Sequence, residues 1–221
     1  MLARSFLARL TEPEHADVLG LAIKRTFPPG AVLMFQDEHD ARLMLLLSGR
    51  VKVARAGPSG EHELLLAIRG PGELLGELAF IDGLPRVATV TALEPVEAGV
   101  IGGAEFRTYL QAHPAVAVTL LESLSARFRE STVKRVQFAA SDTLGRLASR
   151  ILELAELYGE ESDAGLSVAM PISRDELASW TGASRAGVAQ SLQTLRTLGW
   201  VSTRGRSLVV HDADSLRERA A

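Results

Sequence analysis

Cysteine is absent from all 221 residues of the sequence. Structural disulfides, zinc sites with thiolate ligands and iron–sulfur clusters held by cysteine are therefore excluded. The sequence also lacks an apolar run long enough to cross a bilayer, and Arg4 and Arg9 interrupt the apolar residues near the amino terminus. We therefore expect a cytoplasmic protein with no membrane partner.

Signatures of catalysis are absent as well. The sequence contains no Ser-His-Asp grouping, no metal-binding spacing and no phosphate-binding P-loop, so we expect that the protein is not an enzyme. Hydrophobic residues make up 47% of the chain, and its length is sufficient for two domains of ordinary size.

The charge pattern is more informative than the total charge. A formal net charge of −3 at pH 7 does not by itself indicate a nucleic-acid partner. Between Leu177 and His211, however, there is no Asp or Glu, while four arginines occur there: Arg185, Arg196, Arg204 and Arg206. Such a stretch suits a surface that faces phosphates, and an ordinary solvated basic face is the alternative.

The segment 174–188 has the spacing of a helix-turn-helix. Ala178 is small enough to let two helices approach, Gly182 can supply the positive φ of the turn, and Val188 can pack the second helix on the first. Ser173 and Glu176 form a capping-box pattern at the start of the first helix. Taken alone, the segment also fits a helical hairpin of another small domain. With the basic stretch, it predicts a DNA-binding unit.

Two short β-rich runs follow this segment, at 200–203 and 207–210. Arg204, Gly205 and Arg206 lie between them and form a tight turn with an arginine on each side of the glycine. The pattern predicts a winged helix. We expect Arg204 and Arg206 to lie along the phosphate backbone, where they position the protein without reading sequence.

The remaining regions differ in their residue patterns. From about 26 to 101, short β-rich runs alternate with glycine turns, which predicts an antiparallel barrel or sandwich. No Gly or further Pro follows Pro114 as far as Leu144, a length that allows one extended helix. Asp142 is a plausible N-cap for another helix that ends near Tyr158, and a polar loop is expected from 159 to 165. The expected domains are 1–113, 114–141 and 142–221.

The long helix has a periodic pattern of its own, alternately four and three residues apart. The positions are Ala117, Leu121, Leu124, Phe128, Ser131, Arg135 and Phe138. This is the register of a two-stranded coiled coil and predicts a homodimer with two recognition helices for a palindromic DNA site. A single helix packed on its own domain is the alternative.

The glycine-rich segment 72–90 suits a cyclic phosphate. Gly76 lets the main chain approach an anion, Glu77 can accept a hydrogen bond from a ribose hydroxyl, and Arg86 can donate to phosphate oxygens. A glycine turn with a surface Glu and Arg is the alternative for these residues considered alone.

Taken together, these motifs resemble the Crp/Fnr family of transcription regulators. The segment from Gly76, Glu77 and Leu78 to Pro85 and Arg86 resembles the phosphate-binding cassette of its cyclic-nucleotide-binding β-roll. The segments 114–137, 142–146 and 181–185 resemble its dimerisation helix, its hinge and the start of its recognition helix. The resemblance implies an α+β chain with a sensor β-roll, a long dimerisation helix and a winged helix-turn-helix. It also implies a dimer whose effector rotates or orders the DNA-binding domains, and contact with RNA polymerase.

The resemblance further implies a set of effector-binding positions. These are Gly76, Glu77, Leu78, Arg86, Val87, Ser131 and Thr132, and they favour cAMP or a related cyclic nucleotide. Val87 stands where cAMP-binding members have Ser or Thr, so a hydrogen bond worth about 1–3 kcal/mol is missing. A cyclic dinucleotide, haem or ligand-independent binding remain alternatives, although the five histidines are too scattered to favour haem.

For DNA, the resemblance implies contacts from Ser173, Ser184, Arg185, Ala186, Gln190 and the two wing arginines. Arg185 can bind guanine O6 and N7, whereas Ala186 and Gln190 depart from the residues common in the family. Gln190 can pair with adenine and the Ala186 methyl can touch thymine. We therefore expect a half-site that keeps one guanine and gains A·T character.

Overall fold

The computed structural model describes residues 5–57, 63–163, 165–169, 172–204 and 207–220. The chain forms two compact units, one up to Phe128 and the other from Arg129 onward. Each unit combines helices with antiparallel strands, which confirms the α+β prediction.

Two four-stranded antiparallel sheets form the frame of the first unit and confirm the predicted sandwich. Their strand orders are β1-β8-β3-β6 and β2-β7-β4-β5. The strands are β1 (Ile23–Phe27), β2 (Val32–Met34), β3 (Leu43–Ser48), β4 (Val51–Ala56), β5 (Glu63–Arg69), β6 (Leu74–Leu75), β7 (Thr89–Ala92) and β8 (Val96–Ile101).

Strand β3 has apolar residues on both of its faces. Leu43 and Leu45 belong to a core shared with helices, while Met44 and Leu46 belong to a second core lined by strands of both sheets. Because side chains alternate along a strand, a continuous apolar run can fill two cores at once. Strand β3 therefore links two cores in the sheet that also contains β6, a strand of the glycine-rich segment.

The described residues of this unit also form a 3-10 helix (Leu7–Arg9) and four α-helices: α1 (Glu12–Gly20), α2 (Glu77–Asp82), α3 (Gly103–Ala112) and α4 (Pro114–Ala140), the last of which extends into the second unit. One face of α4 is buried through Val116, Leu120 and Ser123. The helix ends at Ala140, four residues before Leu144, the end of the segment without Gly or Pro.

The next helix, α5 (Thr143–Tyr158), begins as predicted. The Asp142 carboxylate accepts a hydrogen bond from the Gly145 amide at 2.9 Å, which confirms it as the N-cap. That bond and the nearby Arg219 guanidinium hold the pKa of Asp142 below its usual range, against a smaller opposing effect of burial. The cap therefore stays ionised at neutral pH, where its charge favours the helix amino terminus.

The polar loop predicted for 159–165 is wrong. Strands β9 (Gly159–Ser162) and β10 (Gly165–Ala169) pair there, in a sheet of order β11-β12-β10-β9. Three of the four residues of β9 are exposed, so this edge strand has none of the apolar alternation that a sequence pattern can reveal. Its pairing comes from backbone hydrogen bonds with β10.

The helix-turn-helix and the wing follow. Helices α6 (Arg174–Thr181) and α7 (Arg185–Thr197) precede β11 (Val201–Arg204) and β12 (Ser207–Val210), and α8 (Ala213–Ala220) follows them. The two wing strands pair antiparallel as predicted.

Two kinds of feature are absent from the described ranges. None of their helices is long and apolar enough to cross a membrane. They also contain no group of three or more His, Cys, Asp or Glu side chains arranged to hold a metal ion.

Candidate effector and DNA-binding sites

The Arg86 side chain is buried inside the first unit, with 3% of its surface exposed. Its Nη1 atom donates to the carbonyl oxygen of Gly76 at 2.9 Å, and Nη2 donates to the carbonyl oxygen of Arg42. The Nε atom is buried and has no hydrogen-bond partner among the residues that the structure describes. A buried donor left in this state costs about 1–3 kcal/mol. The guanidinium can therefore gain from an anionic ligand.

Asp40 provides the counter-charge for this guanidinium. Its Oδ2 lies 3.4 Å from Nη2 of Arg86 and 2.9 Å from Nη2 of Arg42. Burial raises the pKa of Asp40, but hydrogen bonds from Arg42 and the charges of Arg42 and Arg86 outweigh it, so the pKa lies below its usual range. An anionic ligand of Arg86 therefore competes with an ionised carboxylate.

Gly76 caps helix α2 with a left-handed backbone, at φ 84°. A Cβ at this position would overlap Nη1 of Arg86 and lie 3.0 Å from the carbonyl oxygen of Arg42. Both the backbone angle and the packing therefore require glycine, because any side chain would displace the arginine.

Glu77 lies beside this turn and is buried, whereas the sequence pattern alone left open a surface position. Its Oε1 accepts a hydrogen bond from Nη1 of Arg127 at 2.8 Å, and Arg127 also donates to Glu73 and to the Leu74 carbonyl oxygen. A carboxylate has room for further donors, so a ribose hydroxyl and Arg127 can share Glu77.

Arg127 was missed in the sequence. Residues 116, 120 and 123 of α4 are buried, and 127 continues this face at helical spacing. An arginine on an otherwise buried face was the available signal, and it indicates a buried acidic partner.

Val87 is 49% exposed, and its carbonyl oxygen accepts a hydrogen bond from Nη1 of Arg55 on β4. A guanidinium therefore lies beside the position where the resemblance implies a hydroxyl in cAMP-binding members. The sequence did not reveal Arg55, because 32 residues separate it from Val87.

The other predicted effector positions are exposed. Leu78 lies on α2, and Ser131 and Thr132 lie on the part of α4 that belongs to the second unit. Their contact with an effector stays a prediction.

The turn of the helix-turn-helix has the predicted geometry. Gly182 has φ 59°, and a Cβ there would lie 2.5 Å from Cζ of Phe138. The Arg146 guanidinium lies over the Phe138 ring, 4.1 Å from its centroid, and Nε of Arg146 donates to the Phe138 and Ser141 carbonyl oxygens. Phe138 has the seven-residue spacing of the predicted seam, but its ring packs against Gly182 and Arg146 inside its own unit.

Recognition helix α7 begins with a satisfied cap and an exposed face. The Ser184 hydroxyl accepts a hydrogen bond from the Gly187 amide at 3.0 Å, and the Ser173 hydroxyl caps α6 with Glu176 as its capping-box partner. At the start of α7, Arg185, Ala186 and Gln190 are all exposed. These three side chains are therefore available to a DNA groove.

Arg185 has an acidic partner that the charge pattern missed. Its Nε and Nη2 atoms contact Oδ1 and Oδ2 of Asp175, on the first turn of α6. Asp175 lies two residues before Leu177, where the stretch without Asp or Glu begins. Counting the acidic residues within that stretch therefore does not find it.

The wing is described only in part. Arg196, also in the basic stretch, donates from Nη2 to the Thr203 hydroxyl at 2.5 Å. Arg204 ends β11, and its side chain lies outside the description, as does all of Arg206. Their phosphate contacts stay predictions.

The outer face of α4 differs in part from the predicted seam. Leu121 and Phe128 are 60% and 73% exposed, as a dimer seam requires, but Leu124 packs against the core of its own unit. Ala117 is half-buried, and Ser131 and Arg135 are exposed. Three further large apolar side chains of α4 are exposed: Val118, Val133 and Val136.

Comparison with known proteins defines the class. Residues 24–113 match the cyclic nucleotide-binding domain family, and residues 145–219 match the Crp-like helix-turn-helix domain family. Gly76, Glu77 and Arg86 lie in the first of these two matched segments, and helix α7 lies in the second. The chain is therefore a DNA-binding transcription regulator with a cyclic nucleotide-binding domain.

Whole-chain relatives narrow this class. The chain is 30% identical over 221 residues to the CRP-like cAMP-activated global transcriptional regulator of Mycobacterium tuberculosis, covering 100% of this chain and 98% of the relative. It is 30% identical over 209 residues to the cyclic AMP receptor protein of Thermus thermophilus, covering 94% and 93%. The c-di-GMP responsive regulator CLP of Xanthomonas campestris has the same fold, with a TM-score of 0.78 at 22% identity and coverage of 90% and 99%. The chain belongs to the Crp/Fnr family of transcription regulators.

Proposed function

We propose that this regulator is a homodimer that binds palindromic DNA under the control of a cyclic nucleotide, with cAMP as the effector. The assignment of the effector rests on the Nε atom of Arg86. This donor is buried without a partner in the described part of the first unit. A cyclic phosphate supplies an anionic acceptor for that donor, and its charge competes with Asp40 for the guanidinium.

Two further features support a nucleotide. Gly76 leaves no side chain between the backbone and Arg86. The Glu77 carboxylate accepts a hydrogen bond from Arg127 and can accept another from a hydroxyl group. A phosphate bound at Arg86 and a ribose hydroxyl bound at Glu77 together select a cyclic nucleotide over inorganic phosphate. A cAMP-activated regulator and a cyclic AMP receptor protein both match over nearly their full length, which supports adenine as the base.

A cyclic dinucleotide is the second candidate effector. Val87 lacks the hydroxyl that would hold a single cyclic phosphate, while Arg55 places a second guanidinium beside it. Two arginines suit a ligand with two phosphates.

The exposed apolar side chains of α4 support the dimer. A second copy of the chain would cover Leu121 and Phe128, and a coiled-coil contact along α4 would place two copies of α7 for successive major grooves. Contact with RNA polymerase and location in the cytoplasm stay predictions from the family.

The effector is tested by calorimetric titration of the full chain with cAMP, cGMP and c-di-GMP. Gly76→Ala is the test variant, because its Cβ displaces the Arg86 guanidinium. Gly83→Ala is the matched control: it lies at the other end of α2 with φ 70°, and its Cβ has no described atom within 4 Å. Both variants carry a backbone cost of about 1–2 kcal/mol, so they differ in the Cβ contacts at Gly76, of which the overlap with the Arg86 guanidinium is the closest.

We expect Gly83→Ala to bind cAMP like the wild type and Gly76→Ala to bind at least tenfold more weakly. A wild type that binds c-di-GMP and not cAMP would establish the second candidate. A wild type that binds none of the three at millimolar concentration would exclude cyclic-nucleotide control, and equal DNA binding with and without nucleotide would then support ligand-independent regulation.

A further inference from the structure

The contact between Asp175 and Arg185 joins the two helices of the helix-turn-helix. Both side chains are largely exposed, 54% for Asp175 and 78% for Arg185. An exposed ion pair of this kind adds little to stability, because water screens it and two side chains must be ordered. Its position at the start of the recognition helix is therefore more informative than its strength.

The geometry of the pair leaves a defined part of the guanidinium available. Asp175 contacts Nε through Oδ1 and Nη2 through Oδ2, along one side of the guanidinium. An arginine side chain has five N–H donors, so the two on Nη1 and the outer one on Nη2 remain. These point away from the carboxylate along the end of the group, and guanine presents two acceptors, O6 and N7, that match such an edge.

We propose that Asp175 determines DNA specificity by holding Arg185 so that the free end of its guanidinium faces a guanine. This inference rests on the proposed function, because it assumes that α7 reads DNA. Asp175 acts through Arg185 and is a positioning residue. The pairing reduces the ordering that Arg185 must undergo on its site, since one rotamer is already held.

The carboxylate also acts against binding to unrelated DNA. Phosphate attraction supplies essentially all of non-specific affinity, and an arginine whose charge is neutralised by a carboxylate contributes little to it. Apart from Asp175, the nearby acidic residue on the first turn of α6 is Glu176, which is occupied in the capping box. Asp175 thus lowers affinity for random sequence and raises affinity for the site with guanine.

Asp175→Asn tests this inference, with Asp214→Asn as the matched control. Asp214 lies on the first turn of α8 and pairs with Arg217 at 2.6 Å, so the control removes the same charge from the same kind of position in the same unit. A palindrome is first selected from random duplexes with the full-length wild type, with and without millimolar cAMP. Binding to this palindrome and to a scrambled duplex is then measured by fluorescence anisotropy over a salt series.

We expect Asp175→Asn to weaken binding to the palindrome by about three- to tenfold for each half-site, the cost of ordering one long side chain in each protomer. Binding to the scrambled duplex should tighten, and its salt dependence should steepen by about 0.9 for each added phosphate contact, which is about 1.8 for the two protomers of the dimer. Asp214→Asn should preserve the ratio of the two affinities. In an Arg185→Ala background, Asp175→Asn should no longer change that ratio, because the residue it positions is gone.

The failures are distinguishable. A wild type that selects no sequence would overturn the proposed function. A wild type with a preferred palindrome, together with an Asp175→Asn variant of unchanged or proportionally shifted affinities on both duplexes, would overturn the positioning role. A thermal melt of each variant identifies a loss of folding, which would affect both duplexes alike.

Discussion

The effector cassette and the recognition helix each depend on one arginine, but they place it in opposite ways. Arg86 is 3% exposed and donates to two backbone carbonyl oxygens, whereas the Arg185 side chain is 78% exposed and contacts a single carboxylate. A small anion enters a pocket where the low dielectric strengthens every charge contact, so its arginine can be buried in advance. DNA is a rigid rod, and its base edges are reached only by a side chain that projects from the surface.

The acidic partners of these arginines differ in the same way. Asp40 is partly buried and also bound by Arg42, and these contacts keep its pKa below the usual range. Asp175 is exposed and contacts one arginine. In the buried pair, a ligand can compete with Asp40 for the Arg86 guanidinium. In the exposed pair, we infer that Asp175 orients the Arg185 side chain, which projects from the surface.

Loss of the buried arginine should have the largest effect. Arg86→Ala should weaken cAMP binding about 10- to 150-fold, since the proposed hydrogen bond from Nε to the charged phosphate, worth about 1.5–3 kcal/mol, is removed. Calorimetric titration measures this loss, with Arg86→Lys as the variant that keeps the charge. Arg185→Ala should leave cAMP binding intact. Comparable losses in Arg86→Ala and Arg185→Ala would contradict the division of roles between the two regions.

A charged side chain on the outer face of α4 should break the dimer. This change should affect the recognition helix and the effector cassette differently. Phe128→Glu should shift the protein to monomer by sedimentation, at a cost of several kcal/mol for burying two carboxylates at the dimer axis. Binding to the palindrome should fall while the cassette arginine stays in place. Phe128→Leu, which keeps the face apolar, is the control. Leu124→Glu is a poorer test, because Leu124 also packs on its own core.

The smallest expected change is a gain. Val87→Ser should tighten cAMP binding by about tenfold, because one added hydrogen bond to a charged phosphate is worth about 1–3 kcal/mol. Val87→Ala shortens the side chain without adding a hydroxyl and should not tighten binding. Equal affinities of the serine and alanine variants would show that no contact is missing at this position, and that Arg55 or another group already satisfies the phosphate.

Local signals in the sequence located most of the second unit. The capping box of Ser173 and Glu176, the Asp142 cap and the positive φ of Gly182 all involve residues within a few positions of one another. Such interactions form in nearly the same way wherever the segment folds, so spacing alone identifies them.

Prediction from the sequence failed where a side chain packs against a residue that is distant along the chain. It also failed where backbone hydrogen bonds alone determine a strand. Strand β9 has an exposed polar pattern and exists because β10 offers hydrogen bonds. Likewise, the seven-residue spacing of α4 could not tell an outward side chain from one turned inward. Phe138 has the predicted spacing but packs on the Gly182 turn.

The sequence by itself thus determined the order of the elements, their caps, the turn of the helix-turn-helix and the resemblance to a family. Only the tertiary structure paired Glu77 with Arg127 across 50 residues and Arg185 with Asp175 across 10, and only it buried Arg86 with an unpartnered Nε atom in the described part of its unit. Caps and turns depend on neighbours along the chain, whose distance the covalent backbone fixes. Charge pairs and burial depend on how separate elements pack, and one sequence pattern is compatible with many such packings.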